Sequence, residues 1–208
     1  MKITQRIRRA AGWVDAEVGG INARGVDILV AKRPLPVDCS DAVAHARLGE
    51  ERLVVSARTA RSKIGRALAA FELDVRPACG EKLADDMADL AISFMSQFAQ
   101  NRVEVRIDLA NEQSCPKFHC DNVVVRMVTT YAGPGTEYVY AEEPGTTHRA
   151  APGALVFLKG HRHPTHTDSV QHRSPLVRHG VRRLTLAIDQ EDWLSNIHRQ
   201  LHDGHGGQ

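Results

Sequence analysis

Cys115-Pro116-Lys117-Phe118-His119-Cys120-Asp121 leads almost directly into Val123-Val124-Val125-Arg126-Met127-Val128-Thr129-Thr130-Tyr131. The second run is β-branched and apolar on both faces, the pattern of a central strand covered on either side. Just ahead of it, an imidazole and a carboxylate stand two residues apart. In extended chain, residues i and i+2 project from one face, so His119 and Asp121 are expected side by side. A further imidazole from a distant strand would complete a two-imidazole, one-carboxylate metal site with open positions.

Around this point the period of the chain changes. Val103-Glu104-Val105-Arg106-Ile107-Asp108-Leu109 alternates apolar and polar residues, as a half-buried strand does. Residues 136–140, 154–158 and 181–188 read as further strands, and Gly133-Pro134-Gly135 as a turn. Upstream the pattern is helical. Over 80–100, Leu83, Met87, Leu90, Phe94 and Phe98 recur every three or four residues and share a face, with Asp85, Asp89 and Ser96 opposite. That stripe reads as core packing. Shorter helices are expected at 41–48, with Asp38 or Ser40 as N-cap, and at 59–71. A short strand at 26–30 is stopped by Arg33-Pro34-Leu35-Pro36.

Helices first and strands afterwards make an α+β chain. Residues 1–100 are expected to form a mixed, helical supporting region, and 101–190 a metal-binding jelly-roll core, in one domain with a tail at 191–208. The tail has the composition of a disordered end, and Arg6-Arg8-Arg9 that of a solvated helix end.

The third ligand is expected to be His172, past two or three strand-like segments and followed by Arg173-Ser174-Pro175. His161, His163 and His166 compete with it, either as a ligand or as a second zinc site. Ten residues after His172, Arg182 enters the last strand. A guanidinium is a fixed fork suited to a carboxylate, and a dicarboxylate such as 2-oxoglutarate would need one at its far end. Arg182 and Arg183 must lie on opposite faces, and the ten-residue offset favours Arg182. Cys115 and Cys120 flank His119, but a zinc site of these three would require the strand to break. Arg126 is placed opposite His119, with Glu137 across a hairpin as a possible partner.

An H-x-D pair, a distant His and a basic residue about ten positions on resemble the 2-oxoglutarate/Fe(II) dioxygenase superfamily and its double-stranded β-helix. More closely, Cys115-Pro116-x-Phe118-His119-x-Asp121, Arg126, Thr130-Tyr131-x-Gly133-x-Gly135-Thr136-Glu137, the GALVFLKG run from Gly153 to Gly160 and His172-Arg173-Ser174-Pro175 are similar to a bacterial domain-of-unknown-function family, number 1826. The resemblance spans roughly residues 25–190. It implies Fe(II) on His119, Asp121 and His172, with Arg182 on the distal carboxylate of 2-oxoglutarate. Tyr131, an even number of residues from His119, would hydrogen-bond the co-substrate. The implied activity is a hydroxylase-type oxygenation of a small molecule or a protein side chain. The family's association with zinc-responsive regulation implies an alternative: a non-catalytic zinc-binding or metal-handling protein active in metal limitation.

The remaining features set bounds. The 27 basic and 25 acidic side chains leave a net charge of +2, which does not suggest a nucleic-acid partner. No run is long and apolar enough for a membrane span, and the N-terminus lacks the apolar segment of a signal peptide. Four scattered cysteines read as reduced thiols of a cytoplasmic protein rather than a disulfide framework.

Overall fold

The computed structural model describes residues 10–73 and 77–190; Arg6-Arg8-Arg9 and the tail at 191–208 lie outside them. Nine strands are formed among the described residues. They are β1 (Ile28–Ala31), β2 (Gly49–Ser56), β3 (Arg102–Ala110), β4 (Val125–Ala132), β5 (Glu137–Tyr140), β6 (His148–Arg149), β7 (Leu155–Lys159), β8 (Val170–Arg173) and β9 (Arg183–Gln190). The α-helices are α1 (Asp15–Gly19), α2 (Ser40–His45), α3 (Ala60–Ala70) and α4 (Pro77–Gln97).

The strands form two antiparallel sheets, one of six in the order β1-β7-β4-β9-β3-β2 and one of three in the order β6-β5-β8. The expected mixture of helices and antiparallel sheet is thus what forms. β4 is central, paired with β7 and β9, as its two-faced apolar pattern required. Alternation along each strand then gives the six-stranded sheet two unlike faces. Val103, Val105, Ile107 and Leu109 of β3 and Leu184, Leu186 and Ile188 of β9 face the helices. There they meet Leu83, Met87, Leu90 and Phe94 of α4, each fully buried and contributing about 1.5–3 kcal/mol. The opposite face packs on the three-stranded sheet through a smaller cluster that includes Val128, Val156, Leu158, Val170 and Ala187.

Both edge strands of the larger sheet, β1 and β2, come from the first hundred residues. A division at residue 100 therefore does not divide the sheet. Neither β2 nor β8 was expected. The Gly49-Glu50-Glu51-Arg52 start of β2 is charged because one of its faces lines a cleft, which hides strand alternation.

Cys39 and Cys79 form a disulfide between the residue preceding α2 and the first turn of α4. This corrects the expectation of four reduced thiols. The partners are 40 residues apart, and only the tertiary fold brings them together. Cys115 and Cys120 are free. Among the described residues, no helix is long and apolar enough to cross a membrane.

Candidate metal centre

His119 and His172 face each other across an isolated antiparallel bridge that tethers the segment before β4 to β8. Directly opposed residues of such a pair project their side chains to the same side. Their rings accordingly lie 4.6 Å apart, centroid to centroid. Asp121 joins them: Nε2 of His172 is 3.1 Å from Oδ2, and Nε2 of His119 is 3.6 Å from Oδ1. One donor atom from each residue lies within 4.8 Å of the other two. The three residues selected from sequence are therefore together in space.

Neighbouring groups orient these donors. Nδ1 of His119 lies 2.9 Å from the Lys117 carbonyl oxygen. A carbonyl only accepts, so the ring proton sits on Nδ1 and Nε2 keeps its lone pair free. Arg126 reaches Oδ1 of Asp121 at 2.7 Å while its fork also holds Asp189 at 2.7 and 2.6 Å. Oδ2 of Asp121 is buried and has no hydrogen-bond partner of good geometry among the described residues. Burial would raise the Asp121 carboxyl, but His172, Arg126 and His119 outweigh it and hold it well below the usual carboxylate range. An ionised carboxylate with one oxygen pinned by Arg126 and the other buried against the His172 imidazole, beside a second imidazole, is a donor set that fits a cation.

Residues 121–124 do not continue the strand; they are pinned sideways. The peptide N–H groups of Gly160, His161 and Arg162 donate to the carbonyls of Val124, Asp121 and Val123 at 3.0, 2.9 and 3.1 Å. A Cβ on Gly160 would stand 2.2 Å from the Val123 carbonyl oxygen, so this close approach requires glycine.

The three residues border a cleft of about 310 Å³ on the face of the larger sheet away from the helices. Arg126 and Val128 of β4 line it, as do Arg183, Thr185 and Ala187 of β9. Here the structure places several residues differently from expectation. Arg182 points away from the cleft and donates to the carbonyls of Val43 and Ala46. Arg183 takes the inward place, because β9 begins at Arg183 and its odd-numbered residues face the cleft. Tyr131 is buried on the helix side, donating at 2.5 Å to Asp86, which also pairs with Arg33. Burial first, then the Asp86 charge, raises the Tyr131 phenol well above its ordinary value. The even spacing of Tyr131 from His119 does not put them on one face, because the bend at 122–124 breaks the alternation. For the same reason Arg126 lies beside Asp121 rather than opposite, while Glu137 pairs with Arg149 and Arg173.

Arg183 is buried, and among the described residues it has no carboxylate partner. Its donors meet the Pro134 carbonyl at 2.9 Å and, at longer range, Thr130 and Thr136. Burial, opposed by Asp108 and reinforced by Arg106, pushes the guanidinium down to about 10. It remains a cation at neutral pH, short of negative charge.

Of the flanking thiols, Cys115 lies 3.9 Å from Nε2 of His119 and lines the cleft. Cys120 turns to the other side, towards His166. His163 is buried against Asn22 and Thr165.

A family model described as "Protein of unknown function (DUF1826)" matches residues 16–189. No curated protein matches the chain. Among solved structures, a rice dioxygenase for auxin oxidation is 15% identical with a TM-score of 0.48, the alignment covering 85% of this chain and 76% of that one. A Pseudomonas putida prolyl-4-hydroxylase is 17% identical at a TM-score of 0.47, covering 89% and 99%. The Arabidopsis thaliana auxin dioxygenase, as its 2-oxoglutarate complex, is 11% identical at 0.44, covering 85% and 86%.

Proposed function

This chain belongs to the DUF1826 family, and we propose that it is an Fe(II)- and 2-oxoglutarate-dependent oxygenase of hydroxylase type. In this reading the six- and three-stranded sheets are the two halves of a double-stranded β-helix, a jelly roll with α3 and α4 on its outer face. His119, Asp121 and His172 hold Fe(II), the metal suited to two imidazoles and one carboxylate with open positions. Bound there, the iron supplies the redox chemistry that converts 2-oxoglutarate, O2 and a substrate C–H into succinate, CO2 and an alcohol. The chain's own residues bind and orient. The Lys117 carbonyl keeps the His119 lone pair available, Arg126 fixes the carboxylate of Asp121, and Arg183 takes the distal carboxylate of 2-oxoglutarate.

One observation carries the proposal. The cleft that the three donors border is also lined by Arg183, a buried cation without an acidic partner among the described residues. A carboxylate ligand reaching from the triad would complete both ends at once. The substrate is proposed to be a small molecule or a protein side chain.

The test is anaerobic addition of Fe(II) and 2-oxoglutarate. A visible charge-transfer band is expected, abolished in His119→Ala and Asp121→Ala and weakened in Arg183→Gln but not Arg182→Gln. A wild-type protein with no band and no succinate formation would overturn the proposal.

A second reading, a zinc-binding or metal-handling protein without oxygen chemistry, is favoured by one observation, a second donor cluster at Cys120, His161 and His166. The two readings separate on 2-oxoglutarate. Zinc that iron cannot displace from the triad, and thermal stability indifferent to 2-oxoglutarate, would favour metal handling.

A further inference from the structure

We propose that Cys120, His161 and His166 form a second metal site, selective for Zn(II), on the far side of the segment that carries the first triad. It does not depend on the oxygenase reading. Cys120 sits between His119 and Asp121, and chain alternation turns its thiol away from theirs. Its Sγ is 3.7 Å from Nε2 of His166. The rings of His161 and His166 meet edge to face at 4.9 Å. One donor atom from each of the three lies within 4.8 Å of the others, the same convergence found at the triad.

Asp168 stands beside both rings, outside the converging trio. Its Oδ1 lies 2.8 Å from Nε2 of His166 and 3.5 Å from Nδ1 of His161. The remaining polar contacts of the Cys120 thiol, to the carbonyl oxygens of Asp121 and Lys159 at 3.7 and 3.6 Å, are weak hydrogen bonds that a metal would displace.

The His166 ring is set by what lies behind it, with Nε2 turned to Cys120 and Asp168 and Nδ1 to Asp27. The His166 side chain is only 8% exposed, and its Nδ1 is buried without a hydrogen-bond partner among the described residues. That nitrogen is 3.7 Å from Oδ2 of Asp27, outside hydrogen-bond reach but placed to steady a metal-bound ring through its carboxylate. Asp27 is itself anchored. It accepts hydrogen bonds from the backbone N–H and the hydroxyl of both Thr167 and Ser169, at 2.8 to 3.3 Å. The loop bearing His166 and Asp168 is thereby tied down from within. His161 is tied to the Cys120 segment by its N–H bond to the Asp121 carbonyl. The donors are held in place by the fold.

The two donor sets differ in kind. Two imidazoles and a carboxylate suit Fe(II), whereas a thiolate with two imidazoles and an outer carboxylate suits tetrahedral zinc. The tripeptide His119-Cys120-Asp121 thus feeds two sites of different preference, one on each side of the chain.

The experiment is titration of the full, metal-stripped chain with Co(II), followed by Zn(II). Two equivalents are expected to bind. One should give the near-ultraviolet charge-transfer band of a cobalt thiolate, which Zn(II) then bleaches. Cys120→Ser should lose the band and bind a single equivalent. Cys115→Ser and Asp121→Ala should keep the band, the latter while losing the other equivalent, so failure of the triad and failure of this site are distinguishable. His161→Ala, at an exposed loop position, should weaken the band-forming site more than tenfold with the fold intact by circular dichroism. No thiolate band in the wild type, or a band that survives Cys120→Ser and disappears in Cys115→Ser, would overturn the assignment.

Discussion

His119 and His172 exchange both of their backbone hydrogen bonds, at 3.0 and 2.9 Å, across a gap of 53 residues. The bridge stands alone, outside any longer ladder, at the point where the chain entering β4 passes β8. Its consequence is chemical. An opposed pair of this type sets two imidazoles on one side, and Asp121, two residues on, supplies the carboxylate between them. Register, rather than propensity, builds the site.

Arg183 and Arg182 are adjacent, and their substitutions should separate cleanly. Arg183→Gln removes the cation in the cleft and should weaken 2-oxoglutarate binding by about 30- to 1000-fold, the cost of losing one partner of a buried charge pair. Arg182→Gln breaks contacts to the Val43 and Ala46 carbonyls and should leave co-substrate affinity within about threefold while lowering stability by about 1 kcal/mol. Calorimetric titration of the Fe(II) protein under nitrogen reads both. Equal effects would assign the wrong arginine.

Arg126 holds Asp121 and Asp189 together, and all three side chains are largely buried. Arg126→Gln leaves two carboxylates facing each other and should cost about 3–5 kcal/mol in urea unfolding. With Asp121 no longer oriented, metal affinity at the triad should fall about 10- to 100-fold. Added metal should restore part of the lost stability, because it replaces the missing positive charge. A variant as stable as wild type with unaltered metal affinity would deny Arg126 this role.

The Cys39–Cys79 disulfide encloses a 40-residue separation that includes β2 and α3. By chain entropy its reduction should lower stability by about 3–4 kcal/mol. Thiol counting on denatured, unreduced protein should find two free thiols, those of Cys115 and Cys120. Four thiols under non-reducing conditions would contradict the pairing.

Glu137 binds Arg149 and Arg173, fastening β6 and β8 to β5. Burial would raise its carboxyl, but the bonds from Arg149 and Arg173 prevail and lower it. A lowered folded value means the pairing stabilises fully above the unfolded value of about 4.3 and fades as pH falls through the folded one. Glu137→Gln should therefore cost about 1–3 kcal/mol at neutral pH, a deficit that shrinks progressively in acid. Denaturation curves at several pH values would show the two proteins converging; a gap that persists to the lowest pH would exclude this linkage.

Much of this was readable from residues alone. The apolar stripe of α4, the alternation of β3 and the two-faced composition of β4 each follow from local periodicity, which reports the faces of one element whatever surrounds it. The triad was legible because its residue types are few and two of its members sit two positions apart. β8 was not, since Val170-Gln171-His172-Arg173 is too short to establish a period, and its pairing with β5 is a non-local choice.

The sequence by itself singled out His119, Asp121 and His172, which the fold brings together, and the mixture of helices and strands around them. Only the tertiary structure decided that Arg183 rather than Arg182 enters the cleft, that Tyr131 answers Asp86, that Arg126 orients Asp121, and that Cys120 turns towards His161 and His166. The reason is geometric. Alternation says which residues share a face only while the strand is unbroken, and the bend at 122–124 resets that count. What lies opposite a face is then set by contacts between segments far apart in the chain.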